Sequence, residues 1–409
     1  MTILLLTLAY SRVYGNKNLY TDLMEEFSSQ GHTVFVLCPL EKRESGLLSM
    51  EVNNVHIYRV PTGNITKARL FEKAVSTLKI ESQFVKAFRK HLFNTHIDLL
   101  LYSTPPITFG RAVKSIKNKN RCLSYLLLKD IFPQNAVDMG LIKKHEPLHA
   151  YFRRKEQGLY RMSDIIGCMS PGNKKYLLEH NRYLDGKMVT VTPNAIKPSD
   201  SDVSRESIEI SKDRLKQIFG IPKKRVTLLY GGNLGKPQGI DFILEFLSCI
   251  AQSEKIFVLI VGSGTEYARL EKFSKRFNDP AFKVIPSMVK DEYIKIMTGI
   301  DIGLVFLDKR FTIPNIPSRL LDFWDHSKPI LAATDRNTDL KDIIREKHCG
   351  LWSESGNIAK LMVNIDILVN DPALRIKMGH NGRELLEAEY TVERSVEKII
   401  GDLERFITS

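Results

Sequence analysis

Short apolar, β-branched runs alternate with longer amphipathic stretches from one end of this chain to the other, a rhythm that restricts it to parallel sheets covered by helices. In the first half the expected strands are residues 3–8, 33–38, 55–60, 99–102, 123–128, 165–169 and 189–192. The first helix is expected over 18–30, stopped by Gly31. Residues 195–222 then break the rhythm with Pro198, a serine-rich run, a short charged helix at 211–219, and Gly220 and Pro222. Strands resume at 226–230, 257–261, 284–285, 302–306 and 329–332. The expected fold is α/β, with two doubly wound Rossmann-like domains facing across a cleft: residues 1–194, a linker at 195–222, and residues 223–390. At 409 residues the chain exceeds what one core usually supports, about 250 to 300 residues.

Composition removes several classes. With 43% hydrophobic and 26% charged residues the chain is neither disordered nor fibrous nor a polytopic membrane protein. The apolar run 3–8 is too short for a signal peptide or a span and leads straight into Ser11 and Arg12. Five scattered cysteines (Cys38, Cys122, Cys168, Cys249, Cys349) predict a reduced, cytoplasmic protein without disulfides or a zinc site. The net charge of +13 sits in the first half, where 29 Lys and Arg face 17 Asp and Glu over residues 1–200. Within it, residues 67–91 carry seven basic side chains against Glu72 and Glu81, interleaved with Leu70, Phe71, Val75, Leu78, Phe84, Val85 and Phe88. That pattern fits a solvated helix face, a dock for an anionic membrane, or a nucleic-acid surface. No zinc-finger, recognition-helix or RNA-binding aromatic signature accompanies it, so no nucleic-acid partner is expected.

In open α/β sheets ligands bind beyond the carboxyl ends of the strands, so the loops after strands are where chemistry is sought. The first loop, with Gly15 and Asn16, holds one glycine where a dinucleotide fingerprint needs three; it suits an acceptor. Gly231-Gly232-Asn233-Leu234-Gly235-Lys236-Pro237-Gln238-Gly239 follows the first strand of the second domain, and its glycines let backbone amides approach an anion. It reads equally as a structural turn, and it is no Walker loop. Gly262-Ser263-Gly264 repeats the arrangement after the next strand, with a helix at 267–277. Further on, Asn315-Ile316-Pro317-Ser318-Arg319-Leu320-Leu321-Asp322 offers amides, a hydroxyl and a cation for a diphosphate. Asp322, three residues after Arg319 and on the same helix face, suits the vicinal hydroxyls of a ribose.

The Gly-Asn-Leu-Gly-Lys turn, the Gly-Ser-Gly turn and Pro-Ser-Arg-Leu-Leu-Asp followed by Lys-Pro-Ile together resemble the family 4 retaining GT-B glycosyltransferases. In the first half Pro105-Pro106 and Lys129-Asp130-Ile131-Phe132-Pro133-Gln134-Asn135-Ala136 resemble the bacterial O-antigen and capsule branch, with its N-acetylfucosamine transferases. The resemblance implies a hexosyl or N-acetylaminosugar transferase of the GT-B fold, moving a UDP-linked N-acetyl amino or deoxy sugar onto a polyprenyl-diphosphate-linked acceptor. It also implies retention at the anomeric carbon, no metal or other cofactor, a last helix (within 391–409) that returns to the first domain, and peripheral association with the inner face of the cytoplasmic membrane. The family's usual pair of glutamates falls here on Pro314 and Asp322, and its usual Arg and Lys of the glycine-rich turn fall on Asn233 and Gln238. That passes the phosphate grip to Lys236 and Arg319.

Candidate donor-binding residues are therefore Gly232, Asn233, Gly235, Gly262, Gly264, Ser287, Asn315, Ser318, Leu320 and Asp322. Lys236 and Arg319 stabilise the departing diphosphate. Asp130 lies nearest the anomeric carbon or acceptor, unless it forms a salt bridge, and Lys129 joins Gly15 and Asn16 toward the acceptor. Two other readings share the scaffold: a nucleotide-sugar epimerase needing no acceptor, and a non-catalytic GT-B subunit.

Overall fold

The structure, a computed structural model, describes residues 1–10, 17–65, 70–199, 205–277 and 280–408. The chain divides into two compact units, Met1–Lys197 with Val392–Ser409, and Pro198–Thr391.

The first unit is built on strands β1 (Thr2–Leu6), β2 (Thr33–Glu41), β3 (Ser49–Val52), β4 (Val55–Thr62), β5 (Leu99–Ser103), β6 (Leu123–Leu128), β7 (Ile165–Cys168) and β8 (Met188–Val191). They form one sheet in the order β3-β4-β2-β1-β5-β6-β7-β8, parallel except for β3 against β4. The strand of this unit not foreseen is β3. Its four residues alternate between exposed and half-buried, so no apolar run marks it, and its hairpin closes on Asn53 and Asn54, both at positive φ, the backbone a tight right-twisted hairpin needs. The last helix, Val392–Thr408, puts Val396, Ile399 and Leu403 into this unit's core beside Leu5, Val36 and Leu101. Its buried Asp402 accepts the Tyr125 hydroxyl at 2.8 Å and the Lys398 ammonium at 2.8 Å, and pairs with Arg405. A buried carboxylate survives because its oxygens are met by donors.

The second unit carries β9 (Val226–Asn233), β10 (Ile256–Ser263), β11 (Phe282–Pro286), β12 (Ile302–Phe306), β13 (Ile330–Thr334) and β14 (Gly350–Glu354). The order is β11-β10-β9-β12-β13-β14, parallel throughout. The helix Ile240–Cys249 presents Phe242 and Phe246 to Phe306, ring centroids 6.2 and 5.8 Å apart. Apolar residues three and four apart make that stripe. Within the stretch 195–222, residues Arg205–Phe219 form a helix longer than the sequence predicts, packed on the helix Lys290–Gly299 of this unit.

In both sheets the strand order reverses beside the first strand, between β1 and β5 and between β9 and β12. Doubly wound sheets open a crevice for ligands at the carboxyl ends of such strands.

Candidate functional site

At the carboxyl edge of the second sheet the two glycine-rich turns pack against each other. Leu234 N–H donates to the Ser263 carbonyl and Glu266 N–H to the Leu234 carbonyl, each at 2.9 Å. Glycine is required there: a side-chain carbon on Gly262 would lie 2.1 Å from the Gly232 carbonyl oxygen, and one on Gly264 would lie 2.3 Å from that of Leu234. Gly235 is buried behind Asn233, and the Asp308 N–H, just past β12, donates to the Pro237 carbonyl at 2.9 Å. The long helix does not begin directly at the turn. A short 3₁₀ turn, Lys236–Gln238, comes first, and Gly239 at φ +65° redirects the chain into the helix Ile240–Cys249.

Arg319 opens the seven-residue helix Arg319–Asp325. Its guanidinium lies 4.6 Å over the Tyr230 ring and donates through Nη2 to the Gln238 Oε1 at 2.9 Å. Its Nη1 is buried and has no hydrogen-bond partner among the described residues. Gly232, at φ +120°, lies directly against it: a side-chain carbon there would be 3.7 Å from the guanidinium carbon. Tyr293 reaches from the helix Lys290–Gly299 and lays its hydroxyl on Gly231. Burial raises the pKa of its phenol, as does the nearby Asp322 carboxylate, while Arg319 opposes them. Arg319, Gly232, Tyr230, Tyr293 and Asp322 therefore share one corner.

The remaining candidates spread around that corner. Lys236, Asn233, Ser287 and Ser318 are exposed, and the Asn233 carbonyl accepts the Tyr230 hydroxyl at 2.8 Å. The Leu320 side chain is fully buried, and its N–H donates to the Pro317 carbonyl at 3.3 Å. The Asn315 carbonyl accepts the Thr338 hydroxyl at 2.5 Å, while its Nδ2 is buried without a partner among the described residues. Asp335, at the end of β13, accepts the N–H groups of Asn337 and Thr338, and burial raises its carboxyl to about 6. Sequence reading missed Tyr230 and Tyr293 because strand tyrosines and helix tyrosines carry no spacing signal. Gln238 was visible as a departure from the family pattern, but not as a partner of Arg319.

In the first unit the β5–β6 register sets Ser103 beside Leu127, which brings Thr104 up to the residues after β6. The Thr104 hydroxyl accepts the N–H groups of Lys129 at 3.1 Å and Asp130 at 3.2 Å. The two side chains then diverge. Lys129 donates to the carbonyls of Thr192 and Pro193 at 3.4 and 3.3 Å, and burial lowers its ammonium to about 7. Asp130 accepts the Asn135 side-chain amide at 2.6 Å; burial raises its carboxyl to about 6, partly offset by that amide and the Ile131 N–H. No salt bridge forms at Asp130 among the described residues: the neutral Asn135 amide takes that place. Gly15 and Asn16 lie outside the described residues.

The basic helix is Leu70–His91. Phe84 and Phe88 are fully buried, while Lys86, Arg89 and Lys90 are exposed. An apolar face formed by those two phenylalanines is thus spent on the unit's own core, and what the end of this helix offers solvent is charge. Among the described residues no helix is long and apolar enough to cross a membrane, and no three His, Cys, Asp or Glu side chains gather as a metal would require.

Residues 211–385 match the family of glycosyl transferases group 1. A probable glycosyltransferase of Pseudomonas aeruginosa, WbjE, is 23% identical over 335 residues, covering 81% of this chain and 78% of the relative. A putative colanic acid biosynthesis glycosyl transferase of Escherichia coli, WcaI, is 26% identical over 125 residues, 30% of each chain. Among solved structures, sucrose-phosphate synthase from Thermosynechococcus elongatus is similar with a TM-score of 0.75 at 16% identity over 100% of both chains. Anabaena Alr3699/HepE in complex with UDP follows the same fold with a TM-score of 0.68 at 13% identity, over 99% of this chain and 100% of that one. Together with the two parallel-sheet Rossmann-like units, these likenesses give the chain the GT-B fold, and the match of residues 211–385 and the named relatives indicate a glycosyltransferase.

Proposed function

We propose that this chain transfers a sugar from a UDP-linked donor, held by the second unit, to a lipid-linked acceptor in the assembly of a bacterial surface polysaccharide. The sugar is an N-acetyl amino or deoxy sugar, and its anomeric configuration is retained, as in the family 4 enzymes the motifs resemble. The observation that carries the reading is the Arg319 Nη1, a buried cationic donor left without a partner among the described residues, against Gly232 at the carboxyl edge of the sheet. A diphosphate oxygen is the group that such a donor suits, because charge-assisted N–H···O contacts are the strong ones. The name of WcaI, with its colanic acid biosynthesis, supports a polysaccharide role, that of WbjE a glycosyltransferase, and HepE was solved with UDP.

In the proposed reaction the bond from the anomeric carbon to the diphosphate breaks and a bond to the acceptor hydroxyl oxygen forms on the same face. Arg319 and Lys236 hold the negative charge that develops on the leaving diphosphate. The acceptor's proton passes to the Asp130 carboxylate, which is largely ionised at neutral pH with a pKa of about 6. The residues that hold donor and diphosphate here are side chains and amides, and the reading calls for no metal. Asp322 takes the ribose hydroxyls.

The test is a thermal-shift series with UDP, GDP, TDP and ADP. A ligand that binds the folded state alone, at 100 times its dissociation constant, adds roughly 2.7 kcal/mol, so UDP should raise the melting temperature and the other three should not. No shift with any of the four sinks the donor reading.

The lipid-linked acceptor places the protein at an anionic cytoplasmic membrane surface. Binding should be electrostatic, since Lys86, Arg89 and Lys90 are exposed while Phe84 and Phe88 are buried. Sedimentation with vesicles containing anionic lipid should be strong at low salt and lost at high salt. Replacing Lys86, Arg89 and Lys90 together by glutamine should weaken it; unchanged sedimentation would exclude this surface.

A further inference from the structure

We infer that Gln238 is the positioning residue of the donor site, fixing the Arg319 guanidinium so that its Nη1 is presented to the diphosphate of a nucleoside diphosphate. The inference rests on the reading of the second unit as the donor site.

The Gln238 side chain is buried, 7% exposed, and is brought under the sheet edge by the 3₁₀ turn Lys236–Gln238. Its Oε1 accepts two donors, Arg319 Nη2 at 2.9 Å and the Tyr230 hydroxyl at 3.2 Å. A guanidinium only donates, so Arg319 calls for an oxygen, which sets the orientation of the amide. The Tyr230 hydroxyl shares its one proton between that oxygen and the nearer Asn233 carbonyl at 2.8 Å, so the ring that lies beneath the guanidinium is itself anchored to the turn. Arg319 is thus held at one nitrogen by an acceptor and from below by an aromatic face.

What remains is Nη1, buried and without a partner among the described residues. A buried guanidinium N–H with nothing to donate to is costly unless a ligand completes it. The chemistry of position 238 fits that purpose. A neutral amide holds the fork without cancelling its charge, whereas a carboxylate in the same place would hold it equally well and neutralise it.

The experiment uses the full chain, with UDP and uridine as probes. UDP affinity is read by calorimetry and uridine affinity by ligand-observed NMR, for the wild type, Q238A, Q238M, Q238E, R319A and Q238A/R319A. Q238M keeps the side-chain volume, so the fold is retained even if Q238A melts early. The expected result is a loss of about tenfold in UDP affinity for Q238A and Q238M, about 1.4 kcal/mol, with uridine affinity unchanged. Q238E should also lose UDP affinity while keeping its melting temperature. In the R319A background Q238A should add less than twofold, because the two residues act through one contact. Equal losses for UDP and uridine, full additivity with R319A, or UDP affinity unchanged in Q238M would each overturn the positioning role while leaving the donor site standing. A wild type that binds neither UDP nor GDP, TDP or ADP would overturn the donor site and this role with it.

Discussion

Replacing Arg319 by alanine is expected to lower kcat with a UDP-sugar donor by about 10²- to 10³-fold, the loss typical of removing one preorganised donor to developing charge. The same change should abolish the UDP thermal shift. The physical basis is the setting of the side chain: a half-buried guanidinium, stacked 4.6 Å over Tyr230 and tied to Gln238, with one nitrogen buried and without a partner. Such a group has already lost its water and its rotamer freedom before the donor arrives, so its attraction for the leaving diphosphate is not spent on ordering it. Arg319→Lys keeps the charge but loses the planar fork, and it should recover only part of the loss. Lys236 is exposed; its ammonium acts through solvent-screened attraction, so Lys236→Ala should cost far less than Arg319→Ala. Release of UDP from a UDP-sugar, with and without acceptor, measures all three. An Arg319→Ala protein that turns over within threefold of wild type would remove Arg319 from the donor site.

Asp130→Asn is expected to lower kcat by about 10²- to 10³-fold, within the range that general acid–base groups contribute, and to move stability the opposite way. The carboxyl is raised from its usual 3.8 to about 6 by burial, and the carboxylate is the form that accepts the acceptor's proton. Activity of the wild type should therefore fall as pH drops through about 6, and that acidic limb should vanish in the residual activity of Asp130→Asn. The linkage sign follows from the same shift. Between pH 3.8 and about 6 the folded state holds a proton that the unfolded state has released, so folding stability declines as pH rises through that window. Above it, the buried charge is a standing cost of about 3 kcal/mol. Asp130→Asn should thus be more stable than wild type at pH 8 and match it near pH 4. Urea unfolding at those two pH values checks this; an Asp130→Asn protein less stable at both would mean that the Asn135 contact outweighs the desolvation. Lys129 has the complementary behaviour. Its ammonium is lowered from 10.5 to about 7, so the unfolded state binds more protons between those values and stability rises with pH across them.

The two residues owe their place to different kinds of information. Lys129 and Asp130 end an apolar run that any reading marks as a buried parallel strand, and ligands of such sheets collect at that end. Their environment was not legible. Thr104 is 25 residues away from Lys129 in sequence, and only the pairing of β5 with β6 puts its hydroxyl under their N–H groups. The salt bridge considered for Asp130 gave way to the Asn135 amide for the same reason, since the turn after β6 decides which side chain faces it.

The second unit divides in the same manner. Periodicity alone placed β12 at 302–306 and the helix Tyr267–Phe277 at their observed bounds, because both are short, strongly patterned elements whose apolar face leaves one choice. Elements with weak patterns escaped: the hairpin strand β3, half exposed along its length, and β14, whose five residues mix apolar with polar. Glycines at 232, 262 and 264 announced close backbone approach, and that approach is seen between the two turns. Local composition thus determined the parallel sheets, their turns and the strand ends where chemistry gathers, since each depends on neighbours in sequence. The tertiary structure decided which donors remain unpaired there. Gln238 and Arg319 are 81 residues apart, and the burial that desolvates a charge or orphans an N–H is a property of everything packed around it.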